Sequence, residues 1–223
     1  MKQRSDEWFE ARKGKFTASE IHRLLGGIDK NGNLTKTTSG AIDNFAIEKA
    51  IEELHGLEPQ AEFLSKDVER GVELEPQAIE CFSQIMAEKF IDVTECSFYT
   101  YSQHSGASPD SLVGKTDTLE LKCPKRLKFF KYIIFGIDYI ELKYMAQMQM
   151  QLLATGRVKA YFFNYLVFNG KEYYHTIEVP RDEEMIELIK ERIDYAASRK
   201  EFFKLKIQSN KQYGMMDFME EII

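Results

Sequence analysis

The chain has 223 residues, of which 43% are hydrophobic and 13% aromatic, and its formal net charge is −6. This composition excludes a disordered or fibrous protein and favours one globular domain that covers the whole chain, residues 1–223. A sequence pI of about 5.4 also argues against a uniformly basic surface that wraps nucleic acid without specificity.

The sequence also limits where the protein is located and what its cysteines and histidines do. No apolar run approaches the roughly 18 residues that suggest a membrane span, and the charged start of the chain does not resemble a signal peptide. We therefore expect a cytoplasmic protein with no membrane partner. The three cysteines are odd in number and unevenly spaced, which predicts reduced thiols, and the four histidines lack the spacing of zinc ligands.

The start of the chain is predicted to be helical. Ser5 can cap a short helix that carries Arg12. Thr17, with Glu20 three residues later, forms a capping box for a second helix that ends near Gly26.

Two further helices are predicted after a polar segment at residues 26–40. Apolar residues recur at helical spacing from residue 41 to about 54, and another helical stretch follows Val68. Because proline disfavours helical geometry at the residue before it, Glu75 is predicted at a helix start or kink next to Pro76.

The rest of the chain mixes strands with helices. VTECSFYTYS and SPDSLVGKTDTLELKCP are predicted strands, and a helix at residues 139–154 stops at Gly156. AYFFNYLVF and EYYHTIEV pair through the hairpin signal Asn169-Gly170, and an amphipathic helix covers residues 182–203. The order of elements predicts an α/β domain with a central mixed β-sheet flanked by helices.

The stretch TLELK places an acid and a base on one face of a strand. Because side chains alternate along a strand, Leu119 and Leu121 can enter the core while Glu120 and Lys122 lie on the open face. If the strand in SPDSLV pairs with this one, Asp110 comes to lie beside Glu120.

Such a pair of carboxylates needs a compensating charge. At about 4 Å, two ionised carboxylates repel by roughly 4 kcal/mol at an effective dielectric constant of about 20. A divalent metal such as Mg²⁺ or Mn²⁺ relieves this repulsion and lowers the pKa of its bound water, while Lys122 can orient the nucleophile. The alternative is a Ser-Pro-Asp turn at Asp110, with Glu120 and Lys122 on an exposed strand face.

Three further features are candidates for phosphate or DNA contact. Tyr144, Gln147 and Gln151 share one face of the predicted 139–154 helix, and Gln149 on that helix is an additional candidate. Arg12 lies close to the predicted second helix start, where free N–H groups bind phosphate. The run KCPKRLKFFKY alternates cations with aromatic residues, as a local basic channel does. For each of the three, the alternative is a solvated surface.

Four segments, in this order, resemble the lambda exonuclease family, also called YqaJ-like viral recombinases, within the PD-(D/E)XK nuclease superfamily. They are WFEARKGKFTASEIHRLL, RGVELEPQAIECF, SPDSLVGKTDTLELKCP and YMAQMQMQLLATG. The resemblance extends from Trp8 to about Val179 and implies a PD-(D/E)XK restriction-endonuclease-like core.

The resemblance also implies a metal site. Asp110 and Glu120 match the family's Mg²⁺ ligands, with the Leu121 carbonyl as a further ligand and Mn²⁺ as a possible substitute. Lys122 matches the lysine that assists the attacking water. Glu75 matches an upstream acidic residue near a second metal or its waters.

A second group matches the family's pocket for the 5′-terminal phosphate: Arg12, Ser19, Ser108 and Gln147. An arginine fork, two hydroxyls and an amide suit a dianion better than an internal phosphodiester. The resemblance therefore implies a 5′-to-3′ exonuclease on ends of double-stranded DNA that leaves 3′ overhangs for phage-type recombination.

The same resemblance implies a homotrimeric ring around DNA and a single-strand annealing protein as partner, in the host cytoplasm if the protein is phage-encoded. Two alternatives remain at this stage. One is an endonuclease on the same fold, and the other is a catalytically silent protein that binds DNA ends in recombination.

Overall fold

The computed structural model describes residues 3–26, 38–57 and 66–210, together with Gly214. Most of the predicted polar segment at 26–40 lies outside these residues. The elements in chain order are α1 (Asp6–Arg12), β1 (Phe16–Thr17), α2 (His22–Leu25), α3 (Ser39–His55), α4 (Lys66–Ala87), β2 (Val93–Glu95), β3 (Tyr99–Ser102), β4 (Ser105–Ala107), β5 (Ser111–Val113), β6 (Asp117–Lys122), α5 (Arg126–Phe135), a 3-10 turn (Gly136–Tyr139), α6 (Leu142–Thr155), β7 (Lys159–Phe168), β8 (Lys171–Pro180) and α7 (Glu183–Gln208).

The strands form a large mixed sheet and a small one. The large sheet has the order β2-β5-β6-β7-β8, in which β6 and β7 are parallel and the other neighbours are antiparallel. The small sheet has the order β1-β4-β3, with β1 parallel to β4. With the helices packed around them, these sheets confirm the predicted α/β class.

The large sheet is covered on both faces. Leu119 and Leu121 of β6 pack with Phe82 of α4 in one buried cluster. On the other face, Phe162 of β7 packs with Met148 of α6 in a second cluster. Because successive side chains of β6 point to opposite faces, Glu120 lies on the face covered by α6.

The small sheet belongs to a third buried cluster. Phe16 of β1 packs with Phe45 of α3, Met150 of α6 and Ile193 of α7. The two long helices α3 and α7 are further joined by a bidentate ion pair between Arg199 and Asp43, with distances of 2.6 and 2.8 Å.

Several of the predicted helix ends and turns are found in the structure. The Ser5 hydroxyl accepts a hydrogen bond from the N–H of Trp8 at the start of α1. Asn169 and Gly170 join β7 to β8 with φ values of 51° and 68°, the left-handed conformation that a tight hairpin turn needs. Helix α6 is shorter at its start than predicted, and α7 runs five residues past residue 203.

The predicted capping box at Thr17 is wrong. Thr17 lies in β1 and pairs with β4, and its hydroxyl donates to the Glu20 carboxylate at 3.0 Å. Helix α2 begins only after Ile21, which makes no side-chain cap. Thr17, which the local sequence predicts at a helix start, therefore lies in a strand because it pairs with β4.

The predicted helix start at Glu75 is also wrong, because α4 continues through Pro76, and the alternative of a kink there stays a prediction. Proline lacks the N–H that would bond to the carbonyl of Val72, so one helical hydrogen bond is lost. Burial of Ala78 and Phe82 on the same helix offsets that loss. Glu75 thus projects from the middle of a long helix.

Among the described residues, no helix has the length and apolarity needed to cross a membrane.

Candidate active site

The β5–β6 hairpin brings Asp110 next to Glu120. Ser111 pairs with Leu119, and the N–H of Asp110 donates to the Leu119 carbonyl at 3.0 Å. Asp110 Oδ2 in turn accepts the N–H of Leu121 at 2.6 Å. Backbone pairing therefore fixes the aspartate at the edge of the strand that carries the glutamate.

Glu120 has 0% exposure, so its predicted position on an open face is wrong. Helix α6 covers it, and Gln151 Nε2 donates to its Oε2 atom at 2.6 Å. The other carboxylate oxygen, Oε1, pairs with the ammonium of Lys122. The Lys122 side chain is 27% exposed and lines a cleft.

Two carboxylates share one lysine in this place. Burial, and next the charge of Glu120, raise the pKa of Asp110 well above its usual range, against the opposing effect of Lys122. Burial alone would lower the pKa of Lys122, but Glu120 and Asp110 raise it instead. When both acids are ionised, the group has more negative than positive charge, in a place with little water to screen it.

The cleft beside these residues has a volume of about 830 Å³. Asp110, Leu121 and Lys122 form part of its wall. Its charged lining comprises seven cationic and three acidic side chains, namely Arg4, Arg70, Lys122, Lys125, Lys128, Lys131 and Lys143 with Glu75, Asp110 and Glu141. An acidic chain therefore carries a locally basic cleft, which includes much of the predicted KCPKRLKFFKY channel.

Helix α4 forms another part of the cleft wall. Glu75 lines the cleft and accepts a hydrogen bond from Arg4 at 2.7 Å. Arg70, five residues earlier, donates to the carbonyl oxygens of Cys123 and Pro124 at 2.6 and 3.4 Å. These bonds tie α4 to the chain that follows β6.

The donor set fits a hard divalent cation. Asp110, Glu120, Glu75 and the Leu121 backbone offer oxygen ligands, and the excess of carboxylates over Lys122 at the strand edge is what such a cation neutralises. Within the described ranges, no three Asp, Glu, His or Cys side chains form a ready-made metal cluster. Arg4 and Lys122 are instead the partners of Glu75 and Glu120.

Three of the predicted phosphate-binding residues lie around Trp8 and Thr17. The Arg12 guanidinium is 4.0 Å from the centre of the Trp8 ring, and its Nη2 atom is 3.4 Å from the Thr17 hydroxyl. Trp8 Nε1 donates to the Ser108 hydroxyl at 2.9 Å. The exposed Ser19 has its hydroxyl 3.3 Å from that of Thr17.

Gln147, the fourth, is half-buried on α6. It precedes Gln151 by one helical turn on the same face. Gln151 Nε2 lies 3.5 Å from the Ser108 carbonyl oxygen, so this face of α6 approaches Ser108.

The other two candidates differ from each other. Tyr144 lines the cleft, with the ammonium groups of Lys122 and Lys128 at 5.0 and 5.1 Å from its ring centre. Gln149 is fully buried, donates to the Pro180 carbonyl and accepts the N–H of Asp182, both at 2.9 Å. These bonds join the end of β8 to the start of α7, so its surroundings support a structural role instead.

Sequence reasoning did not assign a site role to Trp8, and it named Gln151 only as a candidate for phosphate or DNA contact, not as a partner of Glu120. Both had a usable signal, since each lies four residues from a residue that was assigned. Trp8 precedes Arg12 by one helical turn, and Gln151 follows Gln147 by one turn.

The mixed sheet thus carries paired acids and a lysine at one strand edge beside a basic cleft, an arrangement suited to a metal-dependent enzyme that acts on an anionic substrate. The sequence model of the YqaJ-like viral recombinase domain matches residues 7–158. The chain belongs to this family and is a nuclease.

Solved structures agree with this placement. The alkaline exonuclease LHK-Exo from Laribacter hongkongensis is 28% identical, with 92% of this chain and 96% of that chain covered and a TM-score of 0.73. A structure of LHK-Exo in complex with dAMP gives 27% identity over the same shares and a TM-score of 0.74. A phage related exonuclease from Haemophilus somnus 129PT shares the fold at 18% identity, with 88% and 98% covered and a TM-score of 0.63. No curated sequence matches the chain significantly.

Proposed function

We propose that this nuclease is a Mg²⁺-dependent 5′-to-3′ exonuclease. It digests one strand of linear double-stranded DNA from a 5′-phosphorylated end and leaves a 3′ single-stranded overhang for phage-type recombination. The observation that carries the proposal is the meeting of Asp110, Glu120 and Lys122 at the edge of a basic cleft.

Asp110, Glu120 and the Leu121 carbonyl would hold the Mg²⁺ ion, for which Mn²⁺ can substitute, and Glu75 would bind a second ion or its waters. When bound, the metal supplies an activated water and stabilises charge on the phosphoryl oxygens. The carboxylate excess described above supports this assignment, because a cation relieves the repulsion between Asp110 and Glu120.

Lys122 faces both the acids and the cleft. Its ammonium pairs with Glu120 on one side and opens to the cleft on the other, so it can orient the attacking water against the scissile phosphate. A fixed positive charge there stabilises negative charge that develops in the transition state. The other cations of the cleft would contact the DNA backbone without reading its sequence.

Recognition of the end would come from Arg12, Ser19, Ser108 and Gln147. A terminal phosphate carries more negative charge than an internal phosphodiester and accepts more hydrogen bonds. Trp8 supports this role, because it contacts Arg12 through its ring and Ser108 through its N–H. LHK-Exo in complex with dAMP is a neighbour that binds a deoxynucleoside monophosphate, the unit an exonuclease releases.

Assembly belongs to the same proposal. A homotrimeric ring would retain DNA by enclosing it, which suits a chain with a net charge of −6. A single-strand annealing protein would then receive the 3′ overhang in the cytoplasm.

The proposal is tested with linear duplex DNA labelled at a 3′ end, carrying either a 5′-phosphate or a 5′-hydroxyl, and with a closed circle. With Mg²⁺ we expect digestion of the 5′-phosphorylated strand, slower digestion of the 5′-hydroxyl strand and an intact circle. Lys122→Ala should abolish digestion, and Arg12→Gln should reduce the preference for 5′-phosphate.

Cleavage of the circle would replace the proposal by an endonuclease. Binding of duplex ends with no hydrolysis in Mg²⁺ or Mn²⁺ would replace it by a catalytically silent end-binding protein.

A further inference from the structure

Helix α6 carries two buried glutamines with different partners. Gln149 and Gln151 both have 0% exposure. The amide of Gln149 bonds to backbone groups at Pro180 and Asp182. The amide of Gln151 instead donates to the carboxylate of Glu120. One glutamine therefore joins two elements of the fold, whereas the other contacts a proposed metal ligand.

The contact with Glu120 is short and shielded from water. Gln151 Nε2 is 2.6 Å from Glu120 Oε2, and both side chains are fully buried. A hydrogen bond to a charged acceptor is stronger than one between neutral groups. Since Lys122 pairs with Oε1, both oxygens of the carboxylate are engaged and its plane is fixed.

The orientation of the amide indicates what the position requires. Gln151 Oε1 is buried and has no hydrogen-bond partner within the described part of the chain. A buried acceptor without a partner costs free energy that an apolar side chain would avoid. The donor group towards Glu120 is therefore the feature that a glutamine supplies here.

We propose that Gln151 is a positioning residue that fixes the Glu120 carboxylate for binding of the divalent cation. The inference rests on the proposed function, because it takes Glu120 as a metal ligand. A partner that orients a ligating carboxylate adds to metal affinity without contacting the metal or the substrate.

The same amide reaches towards the proposed end-binding residues. Its second hydrogen is available to the Ser108 carbonyl oxygen, which lies at 3.5 Å, the outer limit of a hydrogen bond. The Ser108 hydroxyl accepts from Trp8, whose ring lies under Arg12. Gln151 thus lies where the Glu120 site and the Arg12 group meet.

The experiment compares Gln151→Met with the matched control Gln149→Met. Each change removes one buried amide from α6 and keeps the length of the side chain. Mn²⁺ alone is titrated into the protein by calorimetry without DNA, and kcat and KM are then measured on 5′-phosphorylated linear duplex.

We expect Gln151→Met to weaken Mn²⁺ binding by about 10–100-fold and to lower kcat with little change in KM. Gln149→Met should lower the thermal midpoint while its Mn²⁺ affinity stays within about 2-fold of wild type, because its bonds go to the backbone. Gln151→Asn keeps the amide but is one methylene shorter, so it should lose the same affinity and replaces Gln151→Met if that variant does not fold.

Wild-type Mn²⁺ affinity in folded Gln151→Met and Gln151→Asn would overturn the inference. Failure of the proposed function has a different result: wild-type protein would bind Mn²⁺ with the predicted dependence on Gln151 and yet leave linear DNA intact.

Discussion

Two groups of lysines and carboxylates in this protein shift the pKa of a carboxyl group in opposite directions. At the α3–α7 contact, Glu53 accepts hydrogen bonds from Lys200, at 2.7 Å, and from Lys204. Burial alone would raise the pKa of Glu53, but the two lysines lower it to about 2. At the β5–β6 edge, Asp110 and Glu120 share Lys122, and the pKa of Asp110 is raised.

The opposite pKa shifts distinguish a group that stabilises the fold from a group that we propose binds a cation. Because both Lys200 and Lys204 contact the Glu53 carboxylate, its ionisation favours the folded chain. Where carboxylates outnumber the lysine, ionisation opposes folding, and a further cation is needed for balance. We infer that the Glu53 group holds two helices together, whereas the Glu120 group keeps a place for a catalytic cation.

The largest expected effect is on DNA cleavage by Glu120→Gln. The amide keeps the size of the side chain but removes a proposed metal ligand, so the cleavage rate should fall by about 10²–10³-fold or more. The free energy of unfolding without metal should fall less than in Glu53→Gln, because the charge of Asp110 remains near Lys122. Cleavage of 3′-labelled linear duplex and urea unfolding measure the two quantities. A variant that keeps its cleavage rate would contradict the proposed site.

The converse change, Glu53→Gln, should affect stability and leave cleavage near the wild-type rate. It leaves the ammonium of Lys200, which is 1% exposed, without its counter-ion. Loss of one partner costs about 3–5 kcal/mol for a fully buried pair, and we expect about 1–3 kcal/mol because Glu53 is partly exposed. Urea unfolding near neutral pH gives the value. If cleavage fell while stability did not, the comparison between the two groups would be wrong.

Lowering the pH should remove the contribution of Glu53 to the free energy of unfolding. The folded pKa of Glu53 lies below its usual value of 4.5, so its contribution is present above 4.5 and is lost as the pH falls towards about 2. We expect the free energy of unfolding to fall more steeply over that range in wild type than in Glu53→Gln. Parallel curves for the two proteins would show that Glu53 is not linked to acid unfolding.

The smallest effect is expected at an exposed ion pair. Lys190 and Glu187 on α7 are 2.6 Å apart, but solvent screens both. Lys190→Ala should therefore leave the thermal midpoint almost unchanged. A clear drop would show that exposed pairs matter here as much as the Glu53 group.

Much of the fold could be predicted from short-range patterns. The Asn169-Gly170 turn has residues that tolerate positive φ, and the Ser5 cap has the side chain that a helix start needs. Thr17 and Pro76 were misjudged because tertiary packing outweighed local preference. Thr17 pairs in a sheet, and Pro76 lies in a helix whose apolar residues are buried.

The site was predictable only in part. The spacing of Glu120 and Lys122 on one strand placed them on a common face, and the strand pairing of Asp110 followed from the hairpin. The sequence could not show that α6 covers that face. The burial of Glu120 and the separate partners of Gln149 and Gln151 depend on how a helix packs across the sheet, which no local pattern specifies.

Thermal unfolding with and without Mg²⁺ tests the proposed cation site at Asp110 and Glu120. It is measured in wild type, Glu120→Gln and Glu53→Gln. We predict that Mg²⁺ raises the midpoint of wild type and of Glu53→Gln, by the equivalent of about 2.7 kcal/mol at a hundredfold excess over Kd, and leaves Glu120→Gln unchanged. An equal rise in all three proteins, or no rise in wild type, would show that the carboxylate excess at Asp110 and Glu120 is not a site for a divalent cation.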